Sequence, residues 1–152
     1  MSGVGIFTLI TALVGAILGV INTIHELNRD KIKLLVKPVW LIPTYGPVLG
    51  TNVMGIEVIN LSLIPVTVEE VGFYLSDGNK IIPIQPWITD GGPYPRRLEP
   101  RTSFTVAFEE NLLKKPEFKK AECAFAKTAC SMKFKGTSPA FKDALVKAKS
   151  LS

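Results

Sequence analysis

No Asp, Glu, Lys or Arg occurs before Glu26, and Val4 to Ile24 form an unbroken run of 21 residues whose polar members are Thr8, Thr11, Asn22 and Thr23. About 20 apolar residues at about 1.5 Å rise each cross a hydrocarbon core about 30 Å thick, so the run has the length of a membrane-spanning helix. A cleaved signal peptide needs a basic n-region, a shorter apolar stretch and a small-residue cleavage site. This chain begins Met1-Ser2-Gly3 with no basic side chain. A core helix of a soluble fold is the other alternative, but the run is apolar on every face and terminal, and the rest of the chain is too small to surround it. The expectation is a transmembrane anchor over residues 1–25.

The charges beyond the run set its orientation. Arg29, Lys31, Lys33 and Lys37 follow it closely and none precedes it, so the positive-inside rule puts the N-terminus outside and the C-terminal domain in the cytoplasm. Arg29, Lys31 and Lys33 are candidate contacts to anionic lipid headgroups. Within the run, Gly15 and Gly19 make one GxxxG, beside a ridge of small residues that includes Ala12 and Ala16. Small residues at that spacing let helix backbones approach, which makes Ala12, Gly15, Ala16 and Gly19 candidates for self-association or for pairing with another membrane protein.

With 152 residues, 47% of them hydrophobic and 20% charged, the chain has room for one ordinary domain joined to an apolar tail. The pattern changes from helical to period two at KIKLLVKPVW, where Ile32, Leu34 and Val36 alternate with Lys31, Lys33 and Lys37. GIEVINLS alternates through Ile56, Val58 and Asn60. VTVEEVGFYL carries Val66 and Val68, then Val71, Phe73 and Leu75, and the odd step predicts a bulge near Glu69 and Glu70. Asp77-Gly78-Asn79 is a tight-turn sequence, and SFTVAFEE is a further strand. ECAFAKTACSMKF reads as one long β tract without Gly, Pro, Asn or Asp to turn it. Six or seven short strands indicate a β-sandwich over 26–137. TSPAFKDALVKAKSLS, with Ser138 as N-cap, Pro139 at the first helical position and Phe141, Ala144, Leu145 and Ala148 on one stripe, predicts a C-terminal helix over 138–152.

The succession IEVINLSLIPVTVEEVGFYLSDG followed by RLEPRTSFTVAF resembles the middle of a bacterial immunoglobulin-like domain: V-x-N-x-S closing a strand, a DG turn, and L-x-P-x-x-S opening a later strand. The whole chain is similar to small membrane-anchored proteins of bacteria and their prophages. The resemblance implies an all-β, immunoglobulin-like β-sandwich with an N-terminal transmembrane helix and a short C-terminal helix, in a bacterial inner membrane. It implies no activity. The function expected is a membrane-anchored binding or scaffolding module; the alternative is a prophage-encoded membrane effector, for example in phage exclusion, acting through its anchor.

No enzyme is expected. The single histidine, His25, lies at the membrane boundary, no phosphate loop or hydrolase elbow is present, and the Glu69/Glu70 and Glu109/Glu110 pairs, adjacent on strands, should point to opposite faces. No cofactor or metal is expected either. Cys123 and Cys130, at the two ends of one extended tract, would stand about 23 Å apart and remain free thiols, as suits a reducing compartment. The Pro- and Gly-rich segment Gln85 to Pro100 holds Trp87, Tyr94, Arg96 and Arg97, residue types that dominate interface hot spots, and is the candidate partner-binding loop; Trp40 to Asn52 is a lesser one. The net charge of +5 is scattered rather than interleaved with aromatic residues, so a lipid bilayer and a protein are the expected partners and nucleic acid is not.

Overall fold

The apolar run folds as helix α1, Gly3–Arg29. Thr8, Thr11 and Thr23 do not interrupt it, because their hydroxyls donate to the carbonyls of Val4, Phe7 and Gly19 at 2.9, 2.8 and 2.9 Å, satisfying themselves without water. In this computed structural model, which describes residues 3–29, 31–44, 46, 50–84 and 86–151, the chain divides into two units, Met1–Lys31 and Ile32–Ser152. The first is α1.

Among the described residues the second unit contains nine strands: β1 Leu34–Leu41, β2 Val53–Asn60, β3 Val66–Leu75, β4 Lys80–Ile81, β5 Trp87–Ile88, β6 Arg96–Leu98, β7 Ser103–Ala107, β8 Ala121–Thr128 and β9 Lys133–Gly136. Two short 3-10 turns, Glu110–Lys114 and Pro116–Lys120, precede β8, and helix α2, Pro139–Ser150, ends the chain. One antiparallel sheet has the order β1-β2-β7-β5; the other runs β4-β3-β8-β9, with β6 also on β3. With α1 and α2 the architecture is mixed α and β rather than purely all-β. Among the described residues there are nine strands rather than six or seven because β5 and β6 span two or three residues each, too few for a period of two to register, and because the tract read as one strand is two, β8 and β9.

Side chains from both sheets share one core. Val36 of β1, Ile56 and Val58 of β2 and Val106 of β7 meet Val68, Val71 and Phe73 of β3 and Ala124 of β8 there, all buried. The phase change in β3 is a register shift between Val68 and Glu70, which keeps both Val68 and Val71 inward. It also overturns one expectation: with the bulge between two buried valines, Glu69 and Glu70 both face solvent instead of opposite faces. Glu70 pairs with Lys80 at 2.5 Å and Glu69 with Lys127 at 3.8 Å.

A second correction concerns the tract holding the two cysteines. It is a hairpin, β8 and β9, with Lys127 opposite Lys133. The turn over 129–132 uses neither Gly nor Asn. Ser131 takes the left-handed conformation at φ 64°, and the Thr128 hydroxyl accepts from the Met132 amide at 3.1 Å while the Thr128 amide donates to the Met132 carbonyl at 2.9 Å. Both thiols are free.

The end of α2 follows its sequence. Ser138 Oγ accepts from the Phe141 amide at 3.1 Å and donates to the Pro38 carbonyl at 2.6 Å. Phe141, Ala144 and Ala148 are buried. Phe141 stacks on Phe73, centroids 5.5 Å apart and 7° from parallel, and Phe118 and Phe108 complete an aromatic cluster around Phe73 at 5.3 and 5.1 Å.

Candidate functional site

The outward face of the second sheet is the most chemically distinctive surface of the β unit. On β3 the residues opposite the core positions include Glu70, Gly72 and Tyr74; on β8 they are Cys123, Phe125 and Lys127; on β9, Lys133 and Lys135. Tyr74 and Phe125 stack at 4.1 Å between centroids with planes 26° apart. Lysines cover the pair: Lys135 Nζ stands 5.1 Å from the Tyr74 centroid and Lys80 Nζ 5.9 Å from that of Phe125, within the range of a cation–π attraction. Gly72 makes the packing possible. A Cβ there would lie 2.2 Å from the Ile81 carbonyl oxygen and 3.1 Å from the Phe125 ring, so a glycine inside a strand marks a close approach.

Beside the aromatic pair an open concavity of about 710 Å³ is lined by Glu70, Tyr74, Asp77, Lys80, Lys127 and Lys133, among others. Asp77 is held below the usual carboxylate range, first by the Asn79 amide that donates to it, with Lys120 adding to the effect. The arrangement sets lysines, of which Lys80 and Lys127 are paired with Glu70 and Glu69, around the half-buried Tyr74 ring, with Phe125 fully buried against it. The concavity is lined by both signs of charge, Glu70, Asp77 and Glu117 beside Lys80, Lys127 and Lys133. Among the described residues no group of three or more His, Cys, Asp or Glu is placed to hold a metal.

The candidate partner-binding loop is divided between the two sheets. Trp87 lies in β5, paired with Ala107 of β7, half-buried with its ring against the backbone of Gly46. Arg96 and Arg97 lie in β6, paired with Val68 and Thr67 of β3. Tyr94 is half-buried against the core, and burial, with Glu70 next in weight, pushes its hydroxyl up to about 12. Arg96 is held by Asp90 at 2.5 Å, with its Nε buried and unpartnered, and the exposed Arg97 pairs with Glu99 at 3.0 Å. Trp87 and the Arg96/Arg97 pair therefore belong to different sheets. Gln85 lies outside the described residues, as do Tyr45 and residues 47–49 of the Trp40 to Asn52 loop.

On α1, Ala12, Gly15, Ala16 and Gly19 are all exposed, and a Cβ added at Gly15 or Gly19 would meet nothing within 4 Å. Arg29 closes the helix, and Lys31 and Lys33 lie exposed between it and β1. Tyr74, Phe125 and Lys135 went unnoticed in the sequence. Gly72 within a strand and the Phe125-x-Lys127 alternation were the available signals, hidden because the hairpin at Ser131 was not legible. The chain matches no known protein family, no curated protein and no solved structure.

Proposed function

We propose that this protein is a single-pass membrane protein that presents an immunoglobulin-like sandwich as a protein-binding module on the cytoplasmic side. The observation that carries the reading is α1: the Gly3–Leu27 stretch is long and apolar enough to cross a bilayer and none of it is buried, with Phe7 70% and Leu18 60% exposed. A surface of that kind is covered by lipid in a chain that has a second unit with its own core. The immunoglobulin-like assignment is supported by strand order. β1-β2-β7-β5 facing β4-β3-β8-β9 follows the A-B-E-D and C′-C-F-G orders of such sandwiches. The cytoplasmic side is supported by the cations after the span and by the free thiols. The half-buried Tyr74, with the exposed Lys133 and Lys135 beside it, is the contact surface, suited to an acidic segment of a partner protein.

The exposed thiol of Cys130 supplies the experiment. The full chain expressed in bacteria should stay in the membrane pellet after an alkaline carbonate wash, and a membrane-impermeant maleimide should label Cys130 only after the cells are permeabilised. Labelling in intact cells reverses the side, and release by carbonate removes the anchor. A photo-crosslinking residue at Lys133 should yield adducts that one at Glu57, on the outer face of the other sheet, does not.

A further inference from the structure

The turns at one end of the β unit include two, residues 61–65 and 129–132, that carry exposed apolar side chains where polar ones are expected. Three turns, residues 61–65 between β2 and β3, 99–102 between β6 and β7, and 129–132 between β8 and β9, lie at the end where β1 begins, as the antiparallel registers require. Buried Asn60 ties the first two together. Its Nδ2 donates to the carbonyls of Ile64, Leu98 and Glu99 at 2.9, 3.2 and 3.2 Å, and its Oδ1 accepts from the Ser62 amide at 2.9 Å. The Leu61 amide donates to the Lys33 carbonyl at 2.8 Å and the Arg101 amide to the Asn60 carbonyl at 3.0 Å. This knot holds the backbone and turns two leucines outward. Leu61 is 40% and Leu63 56% exposed, and Met132 of the third turn is 43% exposed.

We infer that this end of the sandwich, Leu61 and Leu63 with Lys33 and Arg101, is a docking surface for an anionic lipid bilayer. Charge complementarity is the first argument. Over the three turns and Lys31–Lys33, Glu99 is the one carboxylate, and Arg97 pairs with it at 3.0 Å, while Lys33 and Arg101 are exposed cations. Exposed leucines with cations on the neighbouring segments are the pattern of a surface that enters the headgroup region, where each cation near anionic lipid adds to the attraction. Chain length is the second argument. Arg29 ends α1 and Leu34 begins β1, and five Cα steps reach at most about 18 Å, so a bilayer that holds the helix is within reach of the turns flanking Lys33. The surface rests on the reading of α1 as a membrane span and extends the lipid contact from the tether into the folded unit.

The experiment uses the full chain, with Cys123→Ser and Cys130→Ser, reconstituted into vesicles of phosphatidylcholine and phosphatidylserine. An NBD fluorophore is placed at Leu63→Cys and, separately, at Leu61→Cys, with Gly78→Cys on the β3–β4 turn at the far end as control. The expected result is a blue-shifted emission at both leucine positions, lost on adding lipids that carry a nitroxide in the upper acyl chain, and no such shift at Gly78. Lys33→Glu with Arg101→Glu should abolish the shift, and its persistence in that variant overturns the assignment to anionic lipid. If the chain floats with the vesicles while the leucine positions respond like Gly78, the surface is wrong and the anchor stands. If the chain does not float, the anchor reading itself fails. A blue shift that grows with protein concentration at a fixed lipid ratio means that a second copy of the chain covers the turn, which overturns the inference.

Discussion

Asn60 is the polar side chain on which the most backbone depends. It is fully buried at the end of β2 and satisfies carbonyls on two turns that are close in space only because β2, β3, β6 and β7 pair as they do. Truncating it leaves those acceptors without a donor in a dry site, where each such loss costs about 1–3 kcal/mol. Asn60→Ala should therefore lower unfolding stability by about 3 kcal/mol or more in a urea titration of the Ile32–Ser152 unit. Tyr94 gives a second residue-scale expectation. Its hydroxyl titrates at about 12 in the fold against 10.0 for the free group, so folded chain holds that proton where unfolded chain has released it. The contribution is fully present below pH 10 and lost as pH rises from 10 towards 12. Wild type should lose stability relative to Tyr94→Phe across that window; parallel stability curves for the two proteins would mean that the hydroxyl is not desolvated.

At the scale of elements, α2 is part of the core and not an appendage. Phe141 packs against both Phe73 and Phe118, and Trp40 Nε1 donates to Asp143 at 3.2 Å from the strand on which the helix rests. Phe141→Ala should cost about 3–5 kcal/mol, the range for a buried phenylalanine, whereas Ser138→Ala, which removes a cap, should cost about 1 kcal/mol. Equal effects of the two in thermal or urea unfolding would mean that the helix is held by its first turn alone. The hairpin β8–β9 teaches the opposite lesson about legibility. Its turn depends on the Thr128 side chain and a left-handed Ser131, neither of which announces a turn in a sequence, and missing it hid the face that carries Phe125 and Lys135.

For the whole molecule, the residues of α1 and its tether, 1–31, contain two acidic and two basic side chains, so the net +5 belongs to the β unit. A fragment beginning at Ile32 should be soluble and monomeric at micromolar concentration by sedimentation, since it has a core of its own and carries the net charge, while the full chain should require detergent. A fragment that aggregates would mean that the β unit does not fold on its own. Exchanging α1 for an unrelated spanning helix should preserve partner binding through the Tyr74–Phe125 face; a loss on exchange would favour an effector that acts through its anchor.

Sequence alone determined the features that depend on near neighbours. An uninterrupted apolar run makes a long helix whatever follows it, a skipped beat between Val68 and Val71 forces a bulge, and a Ser-Pro start with an apolar stripe makes a capped helix. Tertiary structure alone decided what depends on distant pairing. The two-residue strands β4 and β5 exist only because β3 and β7 offer them edges. Trp87 and Arg96, nine positions apart in the chain, went to different sheets because their pairing partners, Ala107 and Val68, are in different sheets. The Tyr74–Phe125 stack required β3 and β8 to align in one register over a glycine. Local periodicity specifies which face of a strand is apolar; which strand lies beside it is settled by closure of the common core.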